Sequence, residues 1–154
     1  MEKTLILLKP DALQRGLIGE ITHRFEAKGL KLVGLKMISV DDTLLEVHYA
    51  HIKVKPFFEG MKSYMKSSPI VCMVWEGLEA VLQVRTLVGA LHPKDSVPGT
   101  IRADFAMTLP SNLVHASVTV KEAGEEVARF FKEDEIFDYQ RPFDANIYAE
   151  DERS

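Results

Sequence analysis

The chain has 154 residues, 46% of them hydrophobic and 27% charged, with a formal net charge of -4. This length and composition suit one globular domain with a proper core, read over residues 1–154. The negative balance argues against a nucleic-acid coat, and a single cysteine excludes an internal disulfide framework and fits a reducing, cytoplasmic setting. A phosphorylated ligand would therefore need positive charge gathered locally.

The N-terminal apolar run is too short to span a membrane and lacks a small-residue cleavage site, so neither secretion nor anchoring is expected. Thr4 to Leu8 reads as a buried strand, closed by Lys9-Pro10-Asp11. Leu17, Ile21 and Phe25 recur at helical spacing, and Gly29 is placed to stop that helix. A second strand is expected over Leu32 to Val40. Asp41-Asp42-Thr43 offers an N-cap before Leu44, Val47 and His48. Pro56 can open a short helix carrying Phe57, Phe58, Met61 and Tyr64.

Ile70 to Trp75 is the clearest strand, and Cys72 within it reads as inert packing. Leu78, Val81, Leu82 and Leu87 suggest the next helix, ending near Gly89, and Leu91 to Thr100 reads as irregular. A short strand at Val114-His115 leads into a helix from about Val120 to Phe131. The tail, residues 132–154, carries Ile136, Phe137, Tyr139, Phe143, Ile147 and Tyr148, enough apolar surface to pack on the domain or on a neighbouring subunit. The order strand, helix, strand, strand, helix, strand predicts an α+β sandwich of the ferredoxin-like βαββαβ kind. Its sheet is expected to have four antiparallel strands, with helices on one face.

Fold alone does not give function, so the chemistry must come from particular residues. There is no phosphate loop of the Gly-x-x-x-x-Gly-Lys kind and no Gly-x-Gly-x-x-Gly after the first strand. His48 and His51 lack evident companions for a zinc site and read as surface or structural, so no protein-held metal is expected. What remains is His115, at a junction of strand and helix in Asn112-Leu113-Val114-His115-Ala116-Ser117. The segment alone also fits a satisfied structural histidine. In the following helix Glu126 lies on the edge of the apolar stripe Ala123, Val127, Phe130, where a carboxylate must find a partner or lose its hydration uncompensated. It is either a solvated flank residue or the acid that fixes one imidazole nitrogen and leaves the other free as a nucleophile.

The same segment resembles the Asn-x-x-His-Gly-Ser signature of nucleoside diphosphate kinases. Lys9-Pro10-Asp11, Lys55-Pro56-Phe57-Phe58, Val74-Trp75-Glu76-Gly77 and the run from Pro98 to Phe105 match that family in order and spacing. Each motif alone is weak; five in order, from Thr4 to about Tyr148, are specific. The resemblance implies a ping-pong transfer in which His115 takes the γ-phosphate of a nucleoside triphosphate and passes it to a nucleoside diphosphate. It makes Glu126 the orienting acid, places Tyr49 beside the histidine and Ser117 beside the acid, and gives the phosphates to Arg85 and Arg102, whose planar forks suit them. Lys9 and Asn112 match positions near the sugar hydroxyl and the transferred phosphate. Phe57 and Leu109 would sandwich the base, which tolerates any base; Phe57 read by itself could equally be core packing beside Phe58.

Three positions depart from the family. Leu91 stands where a threonine usually donates to phosphate, Ala116 replaces the glycine after the histidine, and Val118 replaces a frequent aspartate. A positive φ at Ala116 would cost about 1–2 kcal/mol. By resemblance Mg²⁺ arrives with the nucleotide, no stable nucleic-acid partner is implied, and the chain assembles as a homo-oligomer, a hexamer rather than a tetramer. Two other readings compete, a nucleotide-binding module with decayed catalysis and a plain assembly protein.

Overall fold

The computed structural model describes residues 1–152. Four strands, β1 (Glu2–Leu8), β2 (Lys31–Ile38), β3 (Ile70–Gly77) and β4 (Val114–Ala116), form one sheet in the order β2-β3-β1-β4. Every neighbouring pair is antiparallel. Seven α-helices connect and flank them: α1 (Pro10–Gln14), α2 (Ile18–Lys28), α3 (Asp42–His48), α4 (Phe58–Met65), α5 (Ala80–Val88), α6 (Ile101–Phe105) and α7 (Val120–Phe130). This is the expected α+β sheet with helices.

Helices pack on both faces of the sheet, not on one. Ile6 and Leu8 of β1, with Val71, Met73 and Trp75 of β3, meet Ile21, Phe25, Val84, Val88 and Ile101. The alternate residues Leu5, Leu7, Cys72 and Val74 meet Leu45, Met65, Val127 and Phe130 on the other side. Burial on both faces is why β1 and β3 are continuous apolar runs without alternation. At the sheet edge β2 is different, with Leu35 and Met37 well exposed. Cys72 is buried among these side chains, which pushes its thiol up to about 12.

The helix signals divide into those that act through backbone chemistry and those that act through pattern alone. Gly29 ends α2 at φ 104, and the Asp41 carboxylate caps α3 by accepting the Leu44 N–H at 2.8 Å. Pro10 opens α1 where only a loop was expected, and α6 lies in a stretch with no periodic stripe. Both are single-turn helices, too short to show an apolar period. Pro56 lies before α4, which begins at Phe58. Leu82, placed on the α5 stripe, is exposed; Ala80, Val81, Val84 and Val88 form the buried face.

Beyond α7 the tail lies along the start of β2. The Phe137 N–H donates to the Val33 carbonyl at 2.8 Å and the Tyr139 hydroxyl to the Leu32 carbonyl at 2.7 Å. Arg141 donates to the carbonyls of Leu30 and Gly29, both at 2.9 Å. No helix among the described residues is long and apolar enough to cross a membrane.

Candidate functional site

A cleft of about 1310 Å³ opens on the α3–α7 side of the sheet. In β4 the side chains of Val114 and Ala116 enter the core beneath α2 and α5, so His115, facing Leu7 across the β1–β4 ladder, points the other way into the cleft. Helix α7, whose N-cap Thr119 accepts the Glu122 N–H at 3.2 Å, brings Glu126 beneath that ring. The last turn of α3 brings His48, and Tyr49 follows it.

His115, Glu126 and Ser117 make one network. Both carboxylate oxygens of Glu126 lie 3.0 Å from His115 Nε2. The Ser117 hydroxyl donates to Glu126 Oε2 at 2.6 Å. Burial acts to raise the Glu126 pKa, but the bonds from His115 and Ser117 outweigh it and hold the carboxyl at about 2. An ionised carboxylate only accepts, so Nε2 carries a hydrogen, and the nitrogen that can present a lone pair is Nδ1. The paired side chains are 18% and 12% exposed, which leaves His115 reachable and Glu126 largely shielded.

His48 is the correction the structure makes to the sequence reading. It is buried, with its ring centroid 4.4 Å from that of His115 and its Nδ1 3.7 Å from Glu126. Arg129 donates to that Nδ1 at 3.1 Å, so Nε2 carries the hydrogen, and it has no hydrogen-bond partner among the described residues. Burial, then the neighbouring His115, lowers the ring to about 3 and keeps it neutral. The companions judged missing come from β4 and α7, more than sixty residues along the chain. Its place at the end of α3, beside Tyr49, was the one available signal.

His48, His115 and Glu126 each present a ligand atom within 4.8 Å of the others, a spacing that could hold a metal ion. The Arg129 guanidinium already occupies the His48 nitrogen nearest the carboxylate.

Next to this network lies the cationic part of the cleft. Lys9, directly after β1, donates to Asn112 Oδ1 at 2.6 Å, and Asn112 Nδ2 donates to the Leu91 carbonyl at 2.9 Å. Burial and then the nearby Arg102 lower the Lys9 ammonium to about 8, while Asp11 pulls the other way. Arg102 is buried, and its pKa falls to about 10 through burial and then the charge of Arg85. It donates to the carbonyls of Asn112, Gly89, Ala90 and Val114, which leaves one of its five N–H groups. Arg85 is exposed, and its guanidinium has no hydrogen bond or ion pair among the described residues. Burial and the charge of Glu126 raise the Tyr49 phenol.

Phe57 and Leu109 line the far end of the same cleft, 58% and 38% exposed. Phe58, not Phe57, is the core residue, which removes the packing explanation for Phe57. Leu91 and Val118 are exposed in the cleft lining and present only hydrocarbon. Ala116 does not have a positive φ; among the described non-glycine residues only Glu79 and Leu113 do. The backbone strain anticipated after the histidine lies two residues before it.

Lys9, Tyr49, Phe57, Arg85, Arg102, Leu109, Asn112, His115 and Glu126 thus border one cleft, with Ser117 buried behind Glu126. The comparisons with known proteins agree over almost the whole length. The family model described as "Nucleoside diphosphate kinase" matches residues 2–136. A nucleoside diphosphate kinase of Parabacteroides distasonis is 51% identical over 152 residues, 99% of each chain. Nucleoside diphosphate kinase A of Rattus norvegicus is 48% identical over 90% of this chain and 91% of its own. Among solved structures, a nucleoside diphosphate kinase of Halobacterium salinarum in complex with CDP superposes with a TM-score of 0.93 at 46% identity, covering 96% of this chain and 99% of that one. With overall fold and sequence in agreement, the chain belongs to the nucleoside diphosphate kinase family.

Proposed function

We propose that this kinase, which transfers phosphate between nucleotides, does so in two steps through His115. The Nδ1 lone pair attacks the γ-phosphorus of a nucleoside triphosphate as the bond to the β–γ bridging oxygen breaks. The nucleoside diphosphate leaves with that electron pair. A β-phosphate oxygen of a second nucleoside diphosphate then attacks the phosphohistidine and frees the ring. Glu126, bonded to the opposite nitrogen, stabilises the positive charge that grows on the imidazole during the first step. The observation that carries this reading is that pairing, which leaves Nδ1 free toward the cleft.

Phosphoryl transfer depends on positioning and charge rather than on covalent help from the protein. Lys9, Arg85 and the remaining N–H of Arg102 supply cationic donors for the phosphate oxygens, with Asn112 and the Tyr49 hydroxyl beside them. Phe57 and Leu109 take the base between a ring and an aliphatic surface, which accommodates purines and pyrimidines alike. The Arg129 guanidinium on His48 makes the histidine–glutamate cluster a poor cage for a cation. Glu122 and Glu125 stand exposed at the rim, so Mg²⁺ is held by phosphate oxygens and water and enters with the substrate. The 1–154 chain acts as a single kinase domain, and its tail is strapped onto it by Phe137, Tyr139 and Arg141. Exposed Leu35 and Met37 on the edge strand are apolar surface that a homo-oligomer would cover; a hexamer rather than a tetramer, and a cytoplasmic setting, are what likeness to the family implies.

Incubation with γ-labelled ATP tests the relay. Wild type should take up an acid-labile, base-stable label and lose it on addition of any nucleoside diphosphate, while His115→Ala should take up none. Label retained in that variant would move the nucleophile elsewhere.

A further inference from the structure

The backbone just ahead of the nucleophile is held in a conformation it would not adopt alone. Leu113 is fully buried with φ 71, and the Val114 N–H donates back to the Asn112 carbonyl at 2.8 Å. The three residues close a γ-turn of the positive-φ form, a rare and strained one for a branched side chain. Such strain persists only where surrounding contacts over-determine it, and it concentrates at functional sites. Asn112 and His115 stand on either side of this turn. Its geometry therefore sets the angle between the amide that meets Lys9 and the imidazole that faces the cleft.

The turn is gripped at its carbonyls and at the central N–H. The Leu113 carbonyl accepts the Lys9 backbone N–H at 2.8 Å, and Arg102 donates to the carbonyls of Asn112 and Val114. The Leu113 N–H donates to Asp11 Oδ2 at 3.1 Å. Asp11 belongs to α1, is 8% exposed, and forms no ion pair among the described residues. Its other oxygen accepts the Tyr64 hydroxyl of α4 at 2.5 Å. One buried carboxylate thus ties α1, α4 and the turn together. Dehydrating a carboxylate in this way is unfavourable unless its bonds return a benefit.

We propose that Asp11 is a positioning residue for phosphate transfer: its carboxylate locks Leu113 at positive φ and so aims Asn112 and His115 at one phosphate. The inference rests on the reading of His115 as nucleophile. It separates Asp11 from residues that hold the fold alone, because it predicts that the need for Asp11 disappears once residue 113 tolerates positive φ unaided. Glycine does so freely.

Single-turnover phosphorylation by ATP and nucleotide affinity should be measured separately on the full chain, alongside thermal melting. Asp11→Ala should slow phosphohistidine formation about 100-fold, the scale expected for ångström-level misplacement, with nucleotide Kd changed less than about threefold. Asp11→Asn keeps an acceptor for the Leu113 N–H and should stay within about fivefold of wild type. In a Leu113→Gly background, adding Asp11→Ala should slow phosphorylation by less than about threefold. If Asp11→Ala alone does not fold, that last comparison carries the test. A wild-type rate in Asp11→Ala, or an equal loss in both backgrounds, overturns the clamp while wild type still labels on His115. A wild type that takes no label on His115 overturns the nucleophile, and the clamp with it.

Discussion

The two ends of the cleft are built on opposite principles. Around His115 the side chains are fixed by hydrogen bonds: Glu126 holds Nε2, Ser117 holds Glu126, and Arg129 holds His48. At the mouth, Phe57, Leu91 and Leu109 are exposed hydrocarbon, and the Arg85 guanidinium carries no bond among the described residues. The inner end is organised before substrate arrives, as charge stabilisation in a transition state requires. The outer end presents surfaces that any base can stack on and a cation awaiting a phosphate. The contrast explains how one site can be strict about chemistry and permissive about base. Changes at the inner end should therefore fall on the rate of phosphorylation, and changes at the mouth on affinity.

The strongest challenge to that division is Glu126→Ala. Freed from its carboxylate the ring can turn, and single-turnover phosphorylation should fall about 100-fold with nucleotide affinity nearly unchanged. A fall in affinity alone would erase the distinction. Arg85→Ala should do the reverse, weakening nucleotide binding roughly thirtyfold for the loss of about 2 kcal/mol of charged hydrogen bonding, with a smaller effect on kcat.

Lys9 allows the boundary to be probed by pH. Its ammonium is held at about 8, so it is charged below that value and neutral above it. KM for the triphosphate should be flat up to about pH 8 and then rise, by about tenfold once the charge is gone. Lys9→Met should show a raised KM with no break there. The smallest effect belongs to Leu91→Thr, which restores a donor at the mouth and should lower KM roughly fivefold, about 1 kcal/mol. An unchanged KM would mean that water or backbone already serves that phosphate.

What could be read from the sequence was what depends on local pattern. The runs of β1 and β3, the glycine stop at Gly29 and the Asp41 cap all follow from side-chain periodicity or backbone chemistry within a few residues. Glu126 was legible because an acid on a buried stripe needs a partner. The layering was less so, since alternate residues of an all-apolar strand do not reveal that both faces are covered. His48 escaped because its partners reach it through tertiary folding, from β4 and α7. Arg102 was expected to offer a phosphate fork, yet most of its donors serve backbone carbonyls, a commitment visible only in three dimensions. The positive φ of Leu113 carries no sequence mark at all, because leucine is not a residue that seeks it.

The central claim is that the acid beneath the ring decides which nitrogen reacts. Identifying the phosphohistidine isomer in base-treated, ATP-labelled enzyme, by phosphorus NMR against both standards, tests it directly. Phosphate on Nδ1 of His115 is the result the geometry requires. Phosphate on Nε2 would mean that the ring must leave Glu126 before it reacts, and the role given to that carboxylate would be wrong.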